Sequence, residues 1–161
     1  MTQLVQPLRL RPFAAGDAPL LGAWLAGAGL GVPQTVPGRR WVERLIDDPN
    51  ILCFTATLGG RIVGFFRLDT GPDQQAEITL IVAPGERRRG HGRALLAAAL
   101  DQARARGLCR VLAVVDVENT AARSFFGDAG FEEVGHKTPG CIHLHRLVHR
   151  GSRRPPLEIQ P

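Results

Sequence analysis

The segment from Val82 to Leu96 joins an apolar strand end to an Ala/Leu-rich helix. Between them lies a loop with Arg87, Arg88 and Arg89, then Gly90, His91, Gly92 and Arg93. A junction of this kind leaves the first backbone N–H groups of the helix without intrahelical partners, at the end where the macrodipole favours anions. Gly90 and Gly92 remove the Cβ atoms that would hold a ligand off that backbone. The spacing predicts a cradle for a diphosphate.

What is missing narrows the choice of diphosphate. A nucleotide-hydrolase loop needs G-x-x-x-x-G-K-[ST]; Gly85 and Gly90 have the spacing, but His91 and Gly92 stand where the lysine and hydroxyl belong. A dinucleotide fingerprint requires a third glycine at the position of Leu95. Arg87-x-x-Gly90-x-Gly92 remains, and a solvated basic loop before an ordinary helix start would have the same composition.

Periodicity supplies the elements around this loop. Leu8–Phe13 is a short strand; Asp17 is placed to cap a helix bearing Leu20, Leu21, Trp24, Leu25 and Ala28. A second helix covers 39–47 and buries Trp41, Val42, Leu45 and Ile46. Ile51–Leu58 and Arg61–Leu68 form a hairpin across Gly59-Gly60. Ala76–Ala83 and Val111–Val115 are continuous apolar runs on either side of the helix that follows the loop, the pattern of a parallel β-α-β unit. Asn119 caps a last helix that ends at Gly130, and Phe131–Val134 with Cys141–Val148 closes the sheet as an antiparallel pair.

This β-α-α-β-β-β-α-β-α-β-β order, over roughly residues 7–149, resembles the GNAT N-acetyltransferase superfamily. Two motifs carry the resemblance. Arg87, Gly90 and Gly92 fit the family's [RQ]-x-x-G-x-[GA] coenzyme A loop, and Asn119, Ala122, Phe125, Gly130 and Phe131 fit its N-x-x-A-x-x-[LF]-Y-x-x-x-G-F pattern. The resemblance implies an α/β (α+β) fold with a mixed central sheet, splayed parallel strands and flanking helices. It implies acetyl-CoA as cofactor. Its pantetheine arm would pair with Leu80, Ile81 and Val82 like an added strand, using backbone groups that a bulge frees. Arg87, Arg88, Arg89, Gly90, His91, Gly92 and Arg93 would surround the pyrophosphate, Asn119 would bond the pantetheine, and Phe126 would line the thioester end. Asn119 also has a simpler role open to it as a helix cap.

Direct transfer to an amine needs a base, a polarised thioester carbonyl and a proton for the thiolate. Glu77, at the start of the central strand, is the candidate catalytic base; an exposed strand-end carboxylate is the alternative. The usual acid in many relatives is a tyrosine where this chain has Phe126, and the chain contains no tyrosine. Ribosomal-protein N-terminal acetyltransferases place a glutamate where Val114 stands, which weighs against that subgroup. The expected function is therefore acetyl transfer from acetyl-CoA to a primary amine of a small molecule. The alternatives are a catalytically silent acyl-CoA-binding module and a protein N-terminal or lysine acetyltransferase.

Composition bounds the rest. A chain of 161 residues suits one domain, here 1–150 followed by a flexible tail over 151–161. No apolar run reaches the roughly 18 residues of a membrane span, and nothing at the N-terminus resembles a secretion signal. Cys53, Cys109 and Cys141 are sparse and odd in number, which argues for a reducing cytoplasm and against a disulfide framework. None has the basic or helix-start setting of an activated thiol. Cys141, His143 and His145 alternate on one strand with His149 beyond, a spacing that matches no standard zinc signature, so no metal is expected. The +5 net charge lies in the second half, around the loop and the tail, where a polyanionic cofactor explains it as well as nucleic acid would. No nucleic-acid or membrane partner is expected. The last strand could pair with a second copy to form a homodimer, though no residue requires it.

Overall fold

A computed structural model describes residues 7–26, 39–86, 90–135 and 139–148, apart from the side chains of 25, 26 and 39–41. The tail, Arg87–Arg89, His149 and the Trp41 side chain therefore lie outside the described residues. Seven strands, β1 (Arg9–Pro12), β2 (Ile51–Leu58), β3 (Arg61–Thr70), β4 (Gln75–Val82), β5 (Arg110–Asp116), β6 (Glu132–Gly135) and β7 (Cys141–Leu147), form one sheet in the order β1-β2-β3-β4-β5-β7-β6. Only β4 and β5 run parallel. The expected crossover between them is α3 (His91–Ala105). The other helices are α1 (Ala18–Ala26), α2 (Arg39–Asp47) and α4 (Thr120–Asp128).

Local chemistry sets the turns. Gly59 and Gly60 both take positive φ, which the tight β2–β3 hairpin requires and other residues resist. α3 and α4 end in Schellman motifs: Leu108 N–H bonds Ala103 C=O past Gly107, and Phe131 N–H bonds Phe126 C=O past Gly130, both at 3.0 Å. Asp17, expected to cap α1, instead turns back. Its carboxylate accepts from both terminal nitrogens of Arg11 at 2.7 Å, from the Thr55 hydroxyl at 2.8 Å and from the Ala14 N–H at 3.0 Å. A planar guanidinium on the adjacent strand end offers a charged, two-pronged partner, which outcompetes a single helix N–H.

The sheet's two faces have different cores. On one, Ala76, Ile78, Val111, Ala113, Ile142 and Leu144 pack with Leu95, Leu96 and Leu100 of α3 and Phe126 of α4. On the other, Phe65, Ile81, Ile51 and Cys53 pack with Phe13, Leu21 and Leu45, and the partly buried Trp24 joins them. Trp24 lies 5.2 Å from the Phe65 ring, so it is a core aromatic. α1 and α2 thus cover the β2–β4 part of that second face.

Candidate functional site

The parallel pairing of β4 with β5 is short. Gln75, Ala76 and Glu77 stand opposite Arg110, Val111 and Leu112; no residue of Ile78–Val82 has a β5 partner, although both strands continue. β5 stays with β7 along its whole length, while β4 stays with β3 to Val82. The sheet therefore splits from Ile78 onward, in the direction of the α3 N-terminus.

The alternation of antiparallel pairs decides which backbone groups face the split. Ala83 N–H bonds Val63 C=O at 2.8 Å, so two residues back along the ladder Ile81 exchanges bonds with Phe65. Cys109 N–H bonds Gln74 C=O at 2.7 Å on the other side. Ile78, Leu80 and Val82, in phase with Gln74, thus turn their N–H and C=O groups into the split. Ile81 turns its own toward β3. The β3–β4 register runs without a shift, and the only irregularity in β3 lies on its β2 side, near Ala56/Thr57. Strand divergence, not the expected bulge, frees these groups.

At the open end, Gly90 precedes α3 with φ +81°, the left-handed conformation that glycine adopts without steric cost. Among the described residues no side chain caps α3, and Ala94 N–H bonds Gly90 C=O at 3.2 Å. The first-turn N–H groups of His91, Gly92 and Arg93 are thus where an anion would meet them. Gly92 serves a different need from the one its position suggests. A Cβ there would approach Phe125 to 3.2 Å and Val82 to 3.7 Å, so the missing side chain lets α3 close on α4 and β4. Arg93 is exposed and lines a cavity of about 250 Å³ between α3 and α4, with Phe125, Asp128 and Arg146.

Asn119 caps α4: its Oδ1 accepts from Ala122 N–H at 3.1 Å. Its amide nitrogen has no partner among the described residues, so capping leaves a donor over. Phe126 is 8% exposed and packs edge-to-face between Phe125 and Phe131, with centroids at 5.2 and 5.0 Å. Its ring belongs to the core under the sheet. Phe125, one residue earlier, is the aromatic that reaches the α3 N-terminus. The sequence signal for it was present in the same motif, as the residue before the missing tyrosine.

Glu77 is the last β4 residue paired to β5, at the point where the strands part. It is exposed and points to the α1/α2 face, opposite Asp69, whose carboxylate accepts from Arg67 Nε at 2.7 Å. His143 and His145 share that face, opposite Val114 and Leu112. No group of three or more His, Cys, Asp or Glu residues arranged to hold a metal occurs among the described residues. Burial pushes the Cys53 thiol up to about 12, which leaves it unreactive at neutral pH. No described helix is long and apolar enough to cross a membrane.

Two features escaped sequence reasoning. One is the Asp17 network. The other is Glu86, whose carboxylate is bonded both to Arg61 and to His91. Neither has a pattern that spacing alone reveals.

Comparison with known proteins agrees with this geometry. The family model described as "Acetyltransferase (GNAT) family" matches residues 23–131. A mycothiol acetyltransferase of Clavibacter michiganensis is 37% identical over 53% of this chain and 28% of its own length. The chain thus spans well under two thirds of that relative. An uncharacterised N-acetyltransferase of Mycobacterium tuberculosis is 33% identical over 66% of this chain and 69% of its own. Among solved structures, spermidine N-acetyltransferase from Vibrio cholerae in complex with CoA and spermine superposes with a TM-score of 0.75 at 22% identity, covering 88% of this chain and 95% of that one. The GNAT domain of S. lividans PAT gives 0.74 at 25% identity, over 87% and 90%.

Proposed function

The chain belongs to the GNAT acetyltransferase family, and from that premise we propose that it transfers the acetyl group of acetyl-CoA directly to a primary amine of a small molecule. The observation behind this reading is the split between β4 and β5 leading to an uncapped helix start. Ile78, Leu80 and Val82, whose backbone groups face the opening, would hold the pantetheine amides, and the Asn119 amide nitrogen would add a donor. The first-turn N–H groups of α3, with Gly90, His91, Gly92 and Arg93, would hold the diphosphate, and the charge of Arg87–Arg89 in the sequence suits the same anion. A thioester so placed would lie near the point where the strands part, where β4 carries Glu77. Glu77 takes the proton from the incoming ammonium, directly or through one water, so that the amine attacks uncharged. After attack the nitrogen still has one proton to shed; as the C–S bond breaks, that proton passes through water to the departing thiolate, since Phe126 has none to give and a thiol is a tolerable leaving group. Holding donor and acceptor in one cleft itself contributes about 7–11 kcal/mol to such reactions.

A small-molecule acceptor is supported by Val114, which occupies the place of the glutamate of ribosomal-protein N-terminal acetyltransferases, and by relatives named mycothiol acetyltransferase. The absence of tyrosine favours one other reading, a module that binds acyl-CoA without turning it over. Thiol release from acetyl-CoA, followed across a panel of small amines, separates the two. Release with at least one amine is expected. Tight binding of acetyl-CoA without release on any amine would replace the enzyme with the module.

A further inference from the structure

A carboxylate at the mouth of a diphosphate site should repel the ligand. Glu86 is such a carboxylate: it ends the 3-10 turn Pro84–Glu86, directly after β4 and directly before the basic loop. Yet it is half-enclosed, with a side chain only 12% exposed, and it is bonded on two sides. Arg61 Nη2 forms an ion pair with its Oε1 at 2.6 Å, from an exposed side chain, and the His91 Nε2 lies 3.2 Å from its Oε2. A carboxylate can only accept, so the imidazole contributes its Nε2–H in this contact.

The three partners come from three elements. Arg61 opens β3, just after the Gly59-Gly60 turn; Glu86 follows β4; His91 is the first residue of α3. The β3–β4 ladder continues to the bond from Ala83 N–H to Val63 C=O, and Glu86 N–H returns to Ala83 C=O at 2.9 Å. The position of Glu86 relative to Arg61 is therefore fixed by backbone bonds on both sides. From there, the contact with His91 ties the residue before Arg87 to the residue after Gly90. The loop's two ends are joined across its base, and the base is moored to the hairpin.

We propose that Glu86 is a positioning residue for donor binding: through Arg61 and His91 it sets the direction in which the first-turn N–H groups of α3 present themselves to the diphosphate. This rests on the cofactor reading above and extends it to a residue outside the coenzyme A motif. Preorganised donors cost the ligand no ordering on arrival, which is where affinity for a charged group is gained.

Charge and geometry make opposite demands here, which gives a decisive test. Removing a negative charge beside a bound diphosphate strengthens binding if charge alone matters; removing the clamp weakens it. Calorimetric titration of CoA into wild type, Glu86→Ala, Arg61→Ala and the double variant measures this, with thermal melts to establish that each is folded. The expected result is about tenfold weaker binding in each single variant, the scale of one lost charge-assisted hydrogen bond. The double variant should be no weaker than the worse single one, because both residues act through one clamp. Glu86→Gln, whose amide oxygen can still accept from Arg61, should recover part of the loss. Unchanged or tighter binding in folded Glu86→Ala would overturn the proposal, and so would losses that multiply in the double variant. Absence of binding in the wild type would instead remove the cofactor reading, and this inference with it.

Discussion

Glu77 owes its chemical opportunity to where it stands rather than to an unusual environment. It is the last residue held between two strands before they part, and it is exposed; the proposed transfer needs an ammonium to lose a proton there. Glu77→Gln is expected to lower kcat about a hundredfold or more, the usual contribution of a positioned base, and to leave KM for acetyl-CoA nearly unchanged. Steady-state rates over a pH range measure both. Gly90 has a conformational role: alanine at φ +81° costs about 1–2 kcal/mol, so Gly90→Ala should lower stability by that amount in urea titrations and weaken CoA binding. Asp17 answers for stability alone. Burial opposes its ionisation, but Arg11, the Ala14 N–H and Thr55 together outweigh burial and hold the carboxyl below its ordinary range. Its stabilisation is therefore present in full above the ordinary carboxylate pKa and is lost as pH falls through the lowered folded value. The melting-temperature gap between wild type and Asp17→Asn should be wide at neutral pH and narrow under acid. At this level the sequence was readable where a residue type answers to backbone geometry, as at the Asn119 cap and the Gly130 helix end. It misled at Asp17, whose carboxylate goes to Arg11 and to Thr55 on β2, contacts that no local spacing reveals.

The elements were readable almost throughout, since strands with continuous apolar runs and helices with one apolar stripe leave strong periodic signals. α2 and β2 have the bounds that periodicity gives, Arg39–Asp47 and Ile51–Leu58. The split between β4 and β5 was not readable as such, because apolar runs show that two strands are buried and not how far they stay paired. Its consequence is specific: the even-numbered backbone groups of β4 face the opening and Ile81 faces β3. Close approach of α3 to the sheet is equally specific. A Cβ on Gly64 would fall on Leu95 Cδ1 and lie 2.8 Å from the Ile81 carbonyl oxygen, which the β3–β4 ladder holds in place. Leu95 could turn aside; the backbone oxygen could not. Gly64→Ala is therefore expected to cost about 1–3 kcal/mol, as overpacked cores do, with a lower urea midpoint.

For the molecule as a whole, the two faces of the sheet divide the work. α3 and α4 lie on one face beside the uncapped helix start, and α1 and α2 cover the β2–β4 part of the other, where Glu77, His143 and His145 project. Donor and acceptor can thus approach from opposite sides and meet where β4 and β5 part. The proposed direct transfer predicts a sequential mechanism, with both substrates bound before any bond changes. Initial-velocity plots should intersect, and parallel lines would indicate an acyl-enzyme. The measurement that goes most directly to the central claim is amide hydrogen exchange with and without saturating CoA. Slower exchange confined to Ile78, Leu80 and Val82 on β4 and to the first turn of α3 is expected. Saturating binding that leaves the exchange of those amides unchanged would contradict the account.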